Sequence, residues 1–335
     1  MLLSLVLYVM LDAGLWVYLL RQAKGQFKII YHTQPIEKVL LGNRLSSDQL
    51  NKIRLIEEVK LFAEKEFGLK KTNNYSTFYD QQGKPILWML TACEPFSFNE
   101  KVWHFPMLGE VSYKGFFNYD LAVDEANQLK LKKIDVDIGK VSAWSTLGFL
   151  PDPVLSSMLD NDEGELAALI IHELTHATLY FPSNVDFNEN FASFVGQQGA
   201  LLFIERKYGK HSPQMQVYLN DIKMENILKQ FLLKQKEALD RFYKTLDAHV
   251  EHHEKLRLKQ LKMTSIINEL NALDIYNWKT RIKIAHKIRI SGNAYFMSFN
   301  RYDAQYQKLY KLYQENNYNM KSFIIYAKQN KALVD

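Results

Sequence analysis

A chain of 335 residues, 47% hydrophobic and 24% charged, is globular and long enough to bury one large core or two modest ones. Its net charge of +5 arises from 42 Lys and Arg scattered among 37 acids, with no long basic run and no nucleic-acid fingerprint, which sets a nucleic-acid partner aside. The lone cysteine, Cys93, excludes an intramolecular disulfide framework and any multi-cysteine zinc site.

The N-terminus, "MLLSLVLYVMLDAGLWVYLL", is an apolar run of roughly the length that a helix needs to cross the ~30 Å core of a bilayer. Asp12 interrupts it. A mid-membrane Asp costs about 3 kcal/mol, which several Leu and Val at about −0.5 kcal/mol each can offset. No Lys or Arg precedes the run, whereas Arg21, Lys24 and Lys28 follow it, which argues against a cleaved secretory signal. Residues 1–30 are therefore expected to form an apolar N-terminal helix. Membrane association through residues 1–20 would put the protein at a membrane on the periplasmic side; the alternative is a docked helix in a cytoplasmic protein.

Residues 46–67, "SSDQLNKIRLIEEVKLFAEKEF", open on a Ser-Ser-Asp cap signal, repeat apolar side chains at helical spacing and close at Gly68, so a helix is predicted. The runs "ILWMLTAC", "GEVSYKGFF" and "VDIGKVSAWSTLG" are β-branched and aromatic with partial alternation and read as strands, separated by the helical pattern "YDLAVDEANQLKL". An α+β region is expected over residues 72–149. Two helices follow. The first carries "NDEGELAALIIHELTHATLYF" with Asp160 or Asn161 as cap, and the second runs from about Asn188 to Tyr208, stopped by Gly209. Residues 213–290 are charged and helical, a long hairpin or arm, and "SGNAYFMSFNRY" breaks them before the last helices.

The chemistry is concentrated in the first of those two helices. Residues four apart on a helix share a face, so His172 and His176 can offer imidazole nitrogens to one metal ion. Glu173 lies further round, beside the metal and poorly placed as a third ligand of the same face, where it can take a proton from a metal-activated water. No His stands at the downstream spacing of the metzincin pattern, since Leu179 and Pro182 occupy those places. A carboxylate is needed, and Glu189, beyond a loop that can reverse the chain, is the candidate third ligand. The stretch from Asp186 to Glu189 also fits a capping box, in which Glu189 would only bond the cap backbone.

"HELTH" followed by "NENFASFVGQQG" resembles the gluzincin metallopeptidases, whose third ligand is a Glu opening an Asn-Glu-x-Phe-Ala segment. Further pieces, "QAKGQ", "FPMLGEVSYKGFF", "AWSTLGFLPDPVLSSML" and "NAYFMSFNRY", resemble a narrower bacterial family of zinc aminopeptidases, often predicted lipoproteins. The lipobox cysteine of such lipoproteins is absent here, and Ser193 stands where many gluzincins place an Asp that orients a ligand histidine. The resemblance implies a zincin-like α+β fold: a catalytic region over residues 31–210, with sheet and active-site helices, joined to a helical C-terminal region over residues 211–335. It implies one Zn²⁺ ion on His172, His176 and Glu189, Glu173 as the catalytic acid and base, and a peptide or protein substrate cleaved from its N-terminus. The strand through Ala143, Trp144 and Ser145 would pair with substrate backbone by strand addition. Asn293 is expected to contact substrate too, and Tyr302 to donate to the oxyanion, because the zinc helices supply no neutral donor. The alternative is a membrane-associated binding or scaffold protein whose zinc is structural or whose site is degenerate.

Overall fold

The computed structural model describes residues 13–105, 109–141, 151–182, 184–247, 249–275, 278–297, 305–330 and 333. The chain opens with helix α1 (Ala13–Tyr31), β1 (Gln34–Pro35), α2 (Ile36–Leu40) and α3 (Ser47–Phe67). As the cap signal predicts, the Ser46 hydroxyl accepts from Gln49 N–H at 3.2 Å and the Gln49 side chain accepts from Ser46 N–H at 3.0 Å, and Gly68 ends the helix at φ 68°, a left-handed conformation that suits glycine.

Among the described residues, no helix is long and apolar enough to cross a membrane. Helix α1 instead lies on the fold: Tyr18 Oη and Gln22 Nε2 both donate to the Gly115 carbonyl, at 2.8 and 2.9 Å, and Ile29 enters the main core.

The β structure is small and divided. β2 (Thr77–Tyr79) pairs antiparallel with β1 and parallel with β8 (Val154–Leu155). A second sheet places β3 (Trp88–Cys93) between β6 (Tyr113–Phe116) and β7 (Asp135–Lys140), all antiparallel, while β4 (Trp103–Phe105) and β5 (Gly109–Val111) form a hairpin. Alternation along β3 sends Leu90 and Ala92 into one cluster and Cys93 into another on the opposite face. The first of these is closed by α4 (Tyr119–Leu131), whose Ala122, Ala126 and Leu129 recur at helical spacing.

The two motif helices are α5 (Glu163–Thr178) and α6 (Val185–Tyr208). Their caps differ from expectation. Asp162, rather than Asp160 or Asn161, accepts from the backbone of Gly164 and Glu165, and α6 begins three residues early because Asn184 caps it by accepting from Phe187 N–H at 3.1 Å. Asp186 thus lies inside the first turn, and the capping-box reading of Glu189 falls.

Six further helices follow among the described residues: α7 (Pro213–Lys244), α8 (His252–Ala272), α9 (Trp278–Ser291), α10 (Asn293–Met297), α11 (Tyr306–Glu315) and α12 (Met320–Gln329). Helices α7 to α10 build a core of their own around Leu232, Leu270, Ile288 and Phe296. The main core, however, draws Leu309, Tyr313 and Phe323 from α11 and α12 alongside Ile170, Leu174 and Phe194 of the motif helices. It therefore crosses the boundary expected near residue 210.

Alternate residues of β7 tie the sheet to these helices. Asp135 forms an ion pair with buried Lys259 of α8 and accepts from Asn293 N–H at 2.6 Å, and Asp137 accepts from Lys287 Nζ at 2.7 Å and Ser291 Oγ at 2.5 Å.

Candidate metal centre

Helix α5 is buried along Ile170, Ile171, Leu174 and Thr175, so its polar side chains at 172, 173 and 176 are held by packing rather than left on a wet face. Helix α6 lies directly against it. Two glycines permit the approach: a Cβ on Gly196 would stand 2.7 Å from the Ala168 carbonyl oxygen and 3.2 Å from His172 Cβ, and one on Gly199 would stand 2.8 Å from Phe67. All three distances are below ordinary van der Waals contact, so the close packing requires hydrogen at those positions.

This packing brings three predicted ligands together. His172 Nε2 and His176 Nε2 are 3.0 Å apart, and the two oxygens of Glu189 stand 3.5 Å from one each. The three donor atoms form a group able to hold one metal ion. Burial opposes charge on the Glu189 carboxyl, but hydrogen bonds and charge from His172 and His176 outweigh it and hold its pKa well below the usual range. Burial likewise opposes protonation of His172, and the Glu189 hydrogen bond with the Glu173 and Glu189 charges reverses this and raises its pKa. The carboxylate and the imidazoles thus favour positive charge at the point that the three side chains share.

Glu173 is 9% exposed. Burial raises its pKa, helped by Glu189 and Asp152 and opposed by the two histidines. On the far side of the His172 ring, Nδ1 lies 3.4 Å from Ser193 Oγ. His176 Nδ1 is buried with no partner among the described residues.

Sequence reasoning missed a buried polar knot beside this site. Asn74 and Asp152 are 4% and 2% exposed; Asn74 Nδ2 donates to the Asp152 carboxylate at 3.1 Å, Asp152 N–H donates back to the Asn74 side chain at 3.2 Å, and Tyr75 N–H donates to the Asp152 carbonyl at 2.6 Å. Tyr75 adopts φ 63°, and its hydroxyl is buried without a partner among the described residues. Burial, then the charges of Glu173 and Asp152, push that hydroxyl's pKa well above its ordinary value. The signal in the sequence is faint: the contacts join residues 78 apart.

The remaining expectations fare differently. Ala143, Trp144, Ser145 and Tyr302 lie outside the described residues. Asn293 is a correction. It is fully buried, its amide nitrogen donates to the carbonyls of Glu94, Pro95 and Ser97, and its oxygen accepts from Tyr243 Oη. With both ends of the amide taken, it braces the turn after β3 and has nothing left to offer a substrate.

No curated protein and no solved structure matches the chain. The model of the family described as "Putative aminopeptidase" matches residues 17–335, and the chain belongs to that family.

Proposed function

We propose that the protein is a zinc-dependent peptidase with a zincin-like catalytic region, acting on peptide N-termini. The observation that carries this reading is the convergence of His172, His176 and Glu189 on one point, with Glu173 buried beside it. Ligands about 2.0–2.1 Å from a tetrahedral zinc stand about 3.3–3.4 Å apart, and the separations of 3.0, 3.5 and 3.5 Å bracket that value. Two neutral imidazoles and a carboxylate also make the donor set of a catalytic rather than a structural zinc, since three protein ligands leave a coordination position open.

When bound, zinc supplies Lewis acidity toward the scissile carbonyl and a lowered pKa for a coordinated water. The protein's own groups do the rest. His172 is oriented through Nδ1 by Ser193, which fixes the face on which Nε2 is presented. A Glu173 carboxylate oxygen accepts the proton of the attacking water and passes it to the leaving amine, and burial, which raises its pKa, strengthens it as a base. The same reading assigns the oxyanion donor to Tyr302 and the substrate backbone to Ala143, Trp144 and Ser145. The preference for a free N-terminus rests on the family.

Metal analysis of the purified protein, combined with hydrolysis of matched peptides with free and blocked N-termini, tests the proposal. One equivalent of zinc with cleavage of the free peptides only is the expected result. Stoichiometric zinc without hydrolysis of either set would favour a structural site, and hydrolysis of blocked peptides would make it an endopeptidase.

A further inference from the structure

A feature unrelated to the metal centre lies where α1 crosses the second sheet and α4. A cavity of about 980 Å³ opens there. Its construction is specific: Tyr18 and Gln22 pin α1 to Gly115, and Gly25 faces Phe117 so closely that any side chain would collide with the ring. The floor is aromatic, with Tyr18, Trp103 and Phe116 among its residues.

Its charge is lopsided. Glu125 is already committed, accepting from Trp103 Nε1 at 2.8 Å and from Lys114 Nζ at 2.6 Å. Arg21, Lys24 and Lys28 on one wall and Lys101 and Lys132 on the other have no carboxylate partner among the described residues, and Asp124 is the one further acid lining the cavity. Unpaired cations gathered round a concave, partly apolar surface raise the local concentration of anions.

The outward face of α1 narrows the choice of anion. At 3.6 residues per turn, Tyr18, Gln22, Gly25 and Ile29 point to the fold, Arg21, Lys28 and Lys24 follow round the helix, and Leu20, Phe27 and Tyr31 form a stripe on the face turned away from the fold. That stripe is uncovered, with Leu20 and Phe27 each 70% and Tyr31 85% exposed, and Leu131, beside Lys132 on the other wall, is 78% exposed. A soluble anion would use the cations and leave these apolar side chains in water. A membrane surface satisfies both, because an interfacial helix sinks its apolar stripe into the headgroup and acyl boundary while its basic residues meet lipid phosphates.

We infer that the cleft between α1 and α4 is a binding site for the headgroup of an anionic phospholipid, and that α1 lies on the membrane surface rather than through it. The phosphate sits among Arg21, Lys24, Lys28, Lys101 and Lys132, while Leu20, Phe27 and Leu131 enter the lipid. The site is independent of the zinc chemistry and orients the whole chain relative to the bilayer.

Co-flotation of the full chain with phosphatidylcholine vesicles, with and without phosphatidylglycerol, tests this. Partition is expected to rise at least tenfold with the anionic lipid and to fall at high salt. Lys101→Glu with Lys132→Glu, on the wall remote from α1, is expected to lower partition into anionic vesicles by roughly tenfold or more, and Arg21→Glu with Lys28→Glu to do the same, with peptide hydrolysis and melting temperature unchanged. Equal binding to neutral and anionic vesicles would overturn the inference, since the apolar run of residues 1–11 alone would then account for it. So would a loss confined to the α1 variant, or protection of these lysines from acylation by glycerol phosphate in a protein that does not float with vesicles.

Discussion

Gly196 on α6 stands against His172 on α5 with no room for a methyl group: a Cβ would come 2.7 Å from the Ala168 carbonyl and 3.2 Å from His172 Cβ. The position of Glu189 relative to the two imidazoles thus depends on a hydrogen atom. Gly196→Ala is expected to push α6 outward and to separate Glu189 from both imidazoles. Overpacking of this kind destabilises by about 1–3 kcal/mol, and zinc affinity should fall at least tenfold, measured by competition with a chromogenic chelator. Unchanged affinity would show that α6 tolerates the shift without moving Glu189.

Glu173→Gln keeps the shape and removes the proton acceptor. Metal content should be retained while kcat falls by about 3–5 orders of magnitude, the combined size of general-base and positioning effects. Activity near the parent level in a fully loaded variant would remove Glu173 from the mechanism.

Glu189→Ala and Asp186→Ala separate ligation from helix capping. Asn184 caps α6, so Asp186→Ala should leave zinc binding intact and alter stability by less than about 1 kcal/mol. Glu189→Ala should strip the metal at chelator concentrations that the parent withstands. Because a ligand that binds only the folded state stabilises it by mass action, adding zinc should raise the parent's melting temperature and leave that of the Glu189 variant unmoved.

A second acidic group, Asp162, Glu165 and Asp221, carries a pH dependence. Burial, then a hydrogen bond with Asp162 and that residue's charge, pushes the Asp221 pKa from 3.8 to about 6. The folded chain therefore binds this proton more tightly than the unfolded chain. The resulting stability is complete below about pH 4 and is lost as pH rises through about 6. Asp221→Asn should melt higher than the parent at about pH 7.5 and no higher at about pH 4, with the difference shrinking in high salt because the site is largely solvated.

The hydroxyl of Tyr75 is buried with no partner among the described residues, and an unsatisfied buried hydroxyl costs about 1–3 kcal/mol. Tyr75→Phe should raise the stability of the metal-free protein by about 1 kcal/mol, read from denaturant midpoints. A loss would reveal an acceptor formed in solution.

Much of the site is legible because it is local. His172, Glu173 and His176 lie within five residues of one another on a helix whose apolar neighbours announce burial, and α4 is readable to the residue because Asn118 and the spacing of Ala122, Ala126 and Leu129 agree. Glu189 is ambiguous on the page, since an Asp three residues before a Glu fits both a ligand and a cap; the decision falls to Asn184, which wins the competition for the first turn. Helix α1 conceals its docking for a related reason: Tyr18 ends an apolar stretch and Gln22 follows it, yet both serve a single carbonyl 97 and 93 residues away. Asn293 misleads in the opposite direction, because an asparagine breaking a helical array looks functional until its amide is traced to the turn after β3. Tyr75 and Asp152 depend on pairing between distant segments, which no periodicity encodes.

The two aspartates of β7 bear on the divisibility of the chain. Asp135 answers to Lys259 and Asp137 to Lys287, cations from two different helices, both beyond Lys244. A cut after α7 would remove both lysines in one stroke and leave two alternate carboxylates of one strand without these counter-charges. Breaking the pair of buried Lys259 with Asp135 costs about 3–5 kcal/mol by itself, and a whole domain is worth only about 5–15 kcal/mol. The half of the chain that carries the histidines cannot be inherited as a fragment; a recombinant piece ending near residue 250 should be insoluble, and any gene fusion or truncation that preserves the metal site must carry the later helices with it.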